Sequence, residues 1–317
     1  MLPHTPSAAG TPLQALSGVR LLSLALNLPG PAALMRCRAM GAQCHKIEPP
    51  APPGSAGGDP MQQYCPRAYT TLHAGVQVSV ADLKTPAGQQ ALQQALARTD
   101  VLLTSFRPAA LHKLGLGWAA LQALFPQLSQ VAIVGAPGER ANEAGHDLTY
   151  LAERGLVAGL DLPATLYADM GGSLMVSEAI LQAVLAQKLR PGAPGVYQEV
   201  ALSDAAGYLA LPRSWGLTQP GPRAAVGGAH AGYRVYACAD GRVAVAALEP
   251  HFAAALCRVA GLPLEGMADA EALNALMFSP AAAEAIGAFL KQQSCQQLDV
   301  LAAQHDLPLH CLPHLRA

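Results

Sequence analysis

Five short strand-like runs, most of them closed by a turn, point this chain toward a parallel α/β sheet. The first, Val19 to Ala25, reads as a buried strand. Asn27-Leu28-Pro29-Gly30-Pro31 breaks it, Ala32 to Met40 has a helical pattern, and Gly41 ends that helix. Gln43 to Glu48 is the second strand, so the chain opens with the strand–helix–strand unit that builds parallel sheets. Val76 to Leu83, Asp100 to Ser105 and Leu128 to Val134 supply three more strands, with helices over Gln89 to Ala97 and after Pro108. No GxGxxG follows the first strand, so a dinucleotide site is not indicated.

The second half changes character. Ser173 to Lys188 is one long helical pattern, and a further helix begins at Leu202 and runs to Leu211. Gly216 to Gly232 is rich in Gly and Pro and reads as a linker. Tyr233 to Cys238 and Val243 to Ala247 read as a hairpin turning at Asp240-Gly241. Leu248-Glu249-Pro250 leads into a helix, Glu271 to Leu301 is helical with weak punctuation, and Cys311-Leu312-Pro313 closes the pattern. The expected organisation is a disordered tail over 1–17, a large Rossmann-like α/β domain with a parallel sheet over 18–215, a linker over 216–232 and a smaller α+β domain over 233–317.

Composition narrows the function classes. Hydrophobic residues make up 51% of the 317 and charged residues only 13%, which describes a core-rich protein with little surface charge to hold monomers apart. A net charge near −1 gives no basic footprint for nucleic acid. Seven Cys lie far apart without CxxC pairs, so neither a zinc site nor a disulfide framework is indicated, and the odd count fits a reducing cytoplasm. The N-terminal residues lack the cations of a signal peptide, and the apolar run from Val19 to Met35 is too broken to span a bilayer. The expectation is a cytoplasmic protein without a membrane or nucleic-acid partner.

Chemistry concentrates between Gly145 and Gly172. Gly145-His146-Asp147-Leu148-Thr149-Tyr150 opens the stretch, and Tyr167-Ala168-Asp169-Met170-Gly171-Gly172 closes it. His146 can carry a proton near neutral pH, and Asp169 can do so where desolvation raises its pKa. Two such groups on opposite faces of one carbon would form a proton-abstraction device. Read from spacing alone, Asp169 is equally a helix N-cap ahead of the apolar run from Ser173.

These two motifs resemble the α-methylacyl-CoA racemase branch of the family III CoA-transferase superfamily. Further segments match that family in order: Met40-Gly41-Ala42, Glu48-Pro49-Pro50, Gly58-Asp59-Pro60, Asp82-Leu83-Lys84, Asp100-Val101-Leu102, Phe106-Arg107-Pro108, Leu114-Gly115-Leu116-Gly117, and the strand-like Gln198 to Asp204. The resemblance covers roughly residues 18 to 315. It implies an acyl-CoA thioester as substrate, with no bound cofactor or metal and coenzyme A present only as part of that substrate.

In the racemase branch the resemblance makes His146 and Asp169 the acid/base pair for a 2-methylacyl-CoA. One removes the α-proton and the other returns it to the opposite face. Backbone N–H groups of Asp147 and Leu148 would hold the enolate oxygen. Glu249 matches a residue that orients the His. Gly145 and Tyr150 complete the motif on the CoA-binding side, and Ala81, Asp82, Leu83, Lys84 and Arg107 match positions near the nucleotide. In the transferase branch the residue matching Asp169 instead attacks the thioester to form a mixed anhydride. His146 favours the racemase-like reading, because the transferases generally lack a His there.

The sequence also departs from the family. Where two cations usually precede the Asp-Leu-Lys segment, this chain has Val76 and Gln77, and a basic position after the second strand is Pro49. Ala193 to Gln198 and Val134 to Pro137 replace two other familiar turns, and the C-terminal end is short of the family's usual return to the large domain. Three readings follow: a racemase-like enzyme, a family III CoA-transferase, or a non-catalytic relative with a degenerate CoA site. The family's interlocked pairs imply a homodimer, or a hetero-oligomer with a second family member, with the short C-terminus weakening the interlock.

Overall fold

A computed structural model describes residues 13–264 and 269–313 and divides into two compact units, the first ending at Ala210 and the second beginning at Leu211. The first unit runs β1 (Arg20–Ser23), α1 (Pro29–Ala39), β2 (Gln43–Glu48), α2 (Met61–Tyr64), α3 (Pro66–Leu72), β3 (Gln77–Val80), α4 (Pro86–Leu96), β4 (Val101–Thr104), α5 (Pro108–Lys113), α6 (Trp118–Leu124), β5 (Ser129–Val134), α7 (Asp147–Glu153), α8 (Tyr167–Leu189), β6 (Tyr197–Ala201) and α9 (Leu202–Leu209). Its six strands pair in the order β3-β2-β1-β4-β5-β6, all parallel.

That order reverses between β1 and β4, as in doubly wound folds, where ligands sit in the crevice at the strands' carboxyl ends. The central strands β4 and β5 are buried at every position, so their sequences do not alternate between apolar and polar residues. Side chains of α1, α7, α8 and α9 cover one face of the sheet through Leu34, Leu151, Ile180 and Ala206. The other face is covered by Leu92, Leu111 and Leu121 of α4, α5 and α6. The edge strand β3 is largely exposed, with Val80 63% accessible.

Several helix starts are set by residues visible in the sequence. Pro29 occupies the first turn of α1, where its missing N–H costs nothing, and Gly30 leaves room for Ala25 to pack against it. Thr85 caps α4 by accepting from the Gly88 N–H at 3.1 Å. Gly171 and Gly172 let α9 lie close against the first turns of α8, where Leu202 and Leu209 pack.

The structure differs from the sequence expectations at several points. Residues 1–12 of the expected tail lie outside the described residues, but residues 13–17 are not a loose tail. Leu16 is fully buried, and its N–H donates to the Met40 carbonyl at 2.8 Å. Residues 61–72 form the two short helices α2 and α3, which the sequence reading passed over. Helix α8 begins at Tyr167 and not at Ser173, because Gly171 and Gly172 are accommodated inside it by the packing of α9.

The second unit contains α10 (Leu211–Ser214), β7 (Tyr233–Cys238), β8 (Gly241–Ala246), α11 (Pro250–Val259), α12 (Ala270–Met277), α13 (Pro280–Lys291), α14 (Cys295–His305) and β9 (Leu309–Pro313). Its three strands are antiparallel in the order β7-β8-β9. Cys238 pairs with Gly241, so the two turn residues are Ala239 and Asp240, one position earlier than Asp240-Gly241. The stretch from Glu271 to Leu301 is broken into three helices. Ser279 caps α13 through the Ala282 N–H, and Ser294 exchanges capping hydrogen bonds with Gln297 at the start of α14. Cys311 lies on β9, an unforeseen third strand. The end of the Gly-rich segment is structured: Ala231 is fully buried in this unit's core, and its N–H donates to the Met277 carbonyl at 2.7 Å. Among the described residues no single helix is long and apolar enough to cross a membrane.

Candidate active site

A cleft of about 710 Å³ opens at the carboxyl ends of β1, β4 and β5, beside the point where the strand order reverses. Its walls come from the turn after β1 (Leu26, Asn27), the turn after β4 (Ser105, Phe106, Arg107), the end of β5 with Gly135, the motif from Gly145 to Tyr150, and Asp169. The two sequence-distant motifs thus meet in one cavity of the size that ordinary small-molecule ligands occupy.

One hydrogen bond joins those motifs. Asp147, almost fully buried, accepts the Asp169 backbone N–H on its Oδ1 at 2.9 Å. Asp169 is the third residue of α8, whose first turn has backbone N–H groups without partners inside the helix. Its own N-cap, Leu166, offers no side-chain acceptor, and the Asp147 side chain takes that part from another helix. Asp169 is therefore not the N-cap that spacing alone allowed; its side chain lines the cleft. Asp147 was expected to act through its backbone N–H. Its carboxylate has a separate task, fixing the start of α8.

Electrostatics follow from this placement. Burial, and secondly the negative charge of Asp147, push the Asp169 carboxyl up to about 6, while nearby His146 pulls it down. His146 precedes α7 and is exposed to the cleft. Its backbone is locked by Thr149, whose Oγ1 accepts the His146 N–H at 3.0 Å and donates to the His146 carbonyl at 2.7 Å.

The glycine that opens the motif has a steric reason. A Cβ on Gly145 would lie 2.5 Å from the Tyr150 hydroxyl, and one on Gly135 would also collide with it. Tyr150 is nearly buried between them and lines the cleft. Burial, then the Asp169 charge, raises its phenol above the usual range. Leu148 also lines the cleft.

The expected nucleotide contacts separate into two places. Arg107 lines the cleft at the end of β4. Ala81, Asp82, Leu83 and Lys84 form the turn from β3 into α4, outside the cleft lining. There Asp82 Oδ1 accepts the Lys84 N–H at 3.0 Å, and Gln89 donates to the Leu83 carbonyl. Three strand spacings separate β3 from β4, roughly 14 Å along the same sheet edge. Val76 packs against the core, and Gln77 is exposed on β3. Glu249 belongs to the second unit, exposed directly before Pro250 and α11. Its role toward His146 rests on the resemblance alone.

Sequence reasoning missed the polar cluster that supports the cleft's β1 wall. Lys46 on β2 is fully buried, with its ammonium 2.5 Å from Asp59, 3.0 Å from Glu48 and 2.9 Å from His73 Nε2. His73 Nδ1 faces the Tyr69 carbonyl at 2.7 Å, so Nδ1 donates there and Nε2 accepts from Lys46. Burial, then the Lys46 charge, lowers the His73 pKa and keeps the ring neutral. Tyr69 donates to Glu48 at 2.9 Å. Asp59 in turn accepts the Asn27 N–H and the Met61 N–H. Asn27 lines the cleft in the left-handed region, at φ 64°. A Lys inside a buried strand, followed by the Gly58-Asp59-Pro60 turn, was the available signal.

Comparison with known proteins agrees with this architecture. The model of "CoA-transferase family III" matches residues 16–315. A succinyl-CoA–D-citramalate CoA-transferase of Chloroflexus aurantiacus is 32% identical over 64% of this chain and 52% of its own length. The human α-methylacyl-CoA racemase is 30% identical over 78% of this chain and 65% of its own. The chain thus spans about half to two-thirds of the length of these relatives. The crystal structure of the Mycobacterium tuberculosis protein Rv3272 superposes with a TM-score of 0.77 at 23% identity, covering 96% of this chain and 86% of the other. A sheet of this order, a cleft at its reversal point and a family match from end to end of the described fold agree: this chain belongs to CoA-transferase family III.

Proposed function

We propose that this protein handles an acyl-CoA thioester and moves its α-proton through an enolate, in the manner of an α-methylacyl-CoA racemase. The observation that carries this reading is the convergence of Asp169 and His146 on one cleft, with Asp169 held where its carboxyl titrates at about 6. A base is most effective when its pKa lies near the working pH, and this carboxyl is far closer to that than an exposed one. One of the pair takes the α-proton, the electron pair moves into the thioester carbonyl, and the other donates a proton to the opposite face. The N–H groups of Asp147 and Leu148 would receive the enolate oxygen, and Glu249 would orient His146. Arg107 and Lys84 would serve coenzyme A phosphates, with Lys84 reached only by a ligand extending along the sheet edge.

A second reading is favoured by the names of several relatives, which are CoA-transferases. There Asp169 attacks the thioester, expels CoA as the thiolate and becomes a mixed anhydride. Incubation with a 2-methylacyl-CoA in D2O separates the two. Deuterium entering the α-carbon without an acceptor acid supports the racemase reading. Turnover that requires an acceptor acid and leaves a hydroxylamine-sensitive Asp169 overturns it in favour of the transferase. Neither result would indicate a non-catalytic relative. The expected assembly is a dimer: α8 exposes Tyr167, Met170 and Leu174 at helical spacing, an apolar stripe available for a second copy. A monomer at micromolar concentration in light scattering would refute it.

A further inference from the structure

Three cysteines that are far apart in sequence converge in the second unit. Cys238 ends β7, Cys295 begins α14, and Cys311 lies on β9, paired with Val243 of the intervening strand. The Sγ atoms of Cys238 and Cys295 are 3.7 Å apart. Asp240, in the hairpin turn, has its Oδ1 3.7 Å from the Cys238 sulfur. The ligand atoms of Cys238, Asp240 and Cys295 all lie within 4.8 Å of one another. The Cys311 sulfur donates to the Cys295 carbonyl at 3.7 Å, beside the cluster.

We propose that Cys238, Asp240 and Cys295 form a binding site for a thiophilic divalent cation of the zinc type. The spacing carries the inference. Two sulfurs bound at about 2.3 Å to a tetrahedral ion stand roughly 3.8 Å apart, and the observed sulfur–sulfur distance matches that edge with no movement. Two thiolates and a carboxylate are donors that a tetrahedral ion of this type accepts, with its fourth position left to water. On binding, each thiol gives up its proton to solvent as a metal–sulfur bond forms, and no oxidant or reductant is required. The Cys295 backbone N–H already donates to Asp240 Oδ1 at 2.7 Å, which fixes the carboxylate's direction as an outer hydrogen bond does in known sites.

A redox pair is the competing use of these thiols. The geometry favours the metal, because the Asp240 carboxylate oxygen converges with both sulfurs within 4.8 Å, a third donor that a disulfide would not use. A bound cation would join two separate elements, the β7–β8 turn and the start of α14. The site lies wholly within the second unit and does not depend on Asp169 or His146.

The test uses the full chain, stripped with chelator under a phosphine reductant and titrated with Co2+, then competed with Zn2+. The expected result is one equivalent of Co2+ giving intense sulfur-to-cobalt charge-transfer absorption and tetrahedral visible bands, both abolished by Zn2+. Cys295→Ser should weaken binding on the order of a hundredfold, while Cys65→Ser, in the first unit, should leave it unchanged. Asp240→Asn keeps the acceptor for the Cys295 N–H and should weaken binding about tenfold with an unchanged circular dichroism spectrum. Absence of charge-transfer absorption, or its persistence in both Cys295→Ser and Asp240→Asn, overturns the proposal. So does a Cys238–Cys295 disulfide formed quantitatively on mild oxidation together with no cobalt binding.

Discussion

Replacing Asp169 by Asn should abolish activity and stabilise the fold at neutral and alkaline pH. In the folded chain its carboxyl titrates at about 6 against 3.8 for a free one. A carboxyl raised in this way binds its proton more tightly in the folded state than in the unfolded one. Stability is therefore unaffected below pH 4, falls as the pH rises from about 4 to 6, and stays lowered above that. A rise of about two units at roughly 1.4 kcal/mol each gives about 3 kcal/mol of lost stability at pH 8. Asn is neutral and nearly isosteric, so it removes that loss without opening a cavity. The two tryptophans allow a clean assay, since Trp118 lies in the first unit and Trp215 in the second. In a Trp215→Phe background, fluorescence during urea unfolding reports only the unit that holds Asp169. At about 2–3 kcal/mol per molar urea, the Asp169→Asn midpoint should rise by roughly 1 M at pH 8 and be unchanged at pH 4. An unchanged or lower midpoint at pH 8 would refute the reasoning, because it would mean that the ionised carboxylate is fully compensated in the fold.

Three other perturbations test separate parts of the structure. Lys46→Met leaves Glu48 and Asp59 facing each other in the interior without their cation, and should cost about 3–5 kcal/mol in urea unfolding; a loss below 1 kcal/mol would contradict the buried network. Gly145→Ala sets a methyl 2.5 Å from the Tyr150 hydroxyl and 2.6 Å from its Cε1 and should cost about 1–3 kcal/mol in urea unfolding, and Tyr150→Phe, which keeps the ring, should not recover it. Gln77→Arg, on the exposed edge strand, should tighten coenzyme A binding in calorimetry by about 1 kcal/mol or more; Val76→Lys should do so less well, because Val76 packs on the core.

Much of the first unit was legible because its signals are local. The strand at Val101–Thr104 and residues 131–134 of the next one are continuous apolar or β-favouring runs, and the order of strand and helix allows few topologies. What failed to show were features set by packing between distant segments. The start of α8 was placed six residues late, since Gly171 and Gly172 read as a break and are instead the contact surface for α9. Lys46 looked like any strand lysine, and only the fold brings Asp59, Glu48 and His73 around it. The cysteines looked scattered for the same reason: Cys295 stands 57 residues after Cys238 and Cys311 another 16 further on, with whole strands and helices between them, and no spacing rule spans them. At the candidate site, residue types and motif order were readable, but the link between Asp147 and Asp169 was not.

That link makes a sharp final prediction. Asp147 acts on Asp169 in two ways, by accepting its backbone N–H at 2.9 Å and by raising its carboxyl through charge. Asn at 147 preserves an oxygen acceptor for the N–H while removing the charge, so it separates the two effects. Burial is the larger cause of the Asp169 shift and would remain. The acidic limb of α-proton exchange should then move toward lower pH by a fraction of a unit to about one unit, with the rate at the plateau reduced only modestly. Asp147→Ala loses both effects. It frees an N–H in the first turn of α8, at about 1–3 kcal/mol for an unsatisfied buried donor, and should lower the plateau as Asp169 drifts from its place. Circular dichroism and urea unfolding of both variants identify any global loss. An acidic limb that stays where it is in Asp147→Asn, with exchange otherwise intact, would show that Asp147 does not set the Asp169 charge and serves only to anchor the helix.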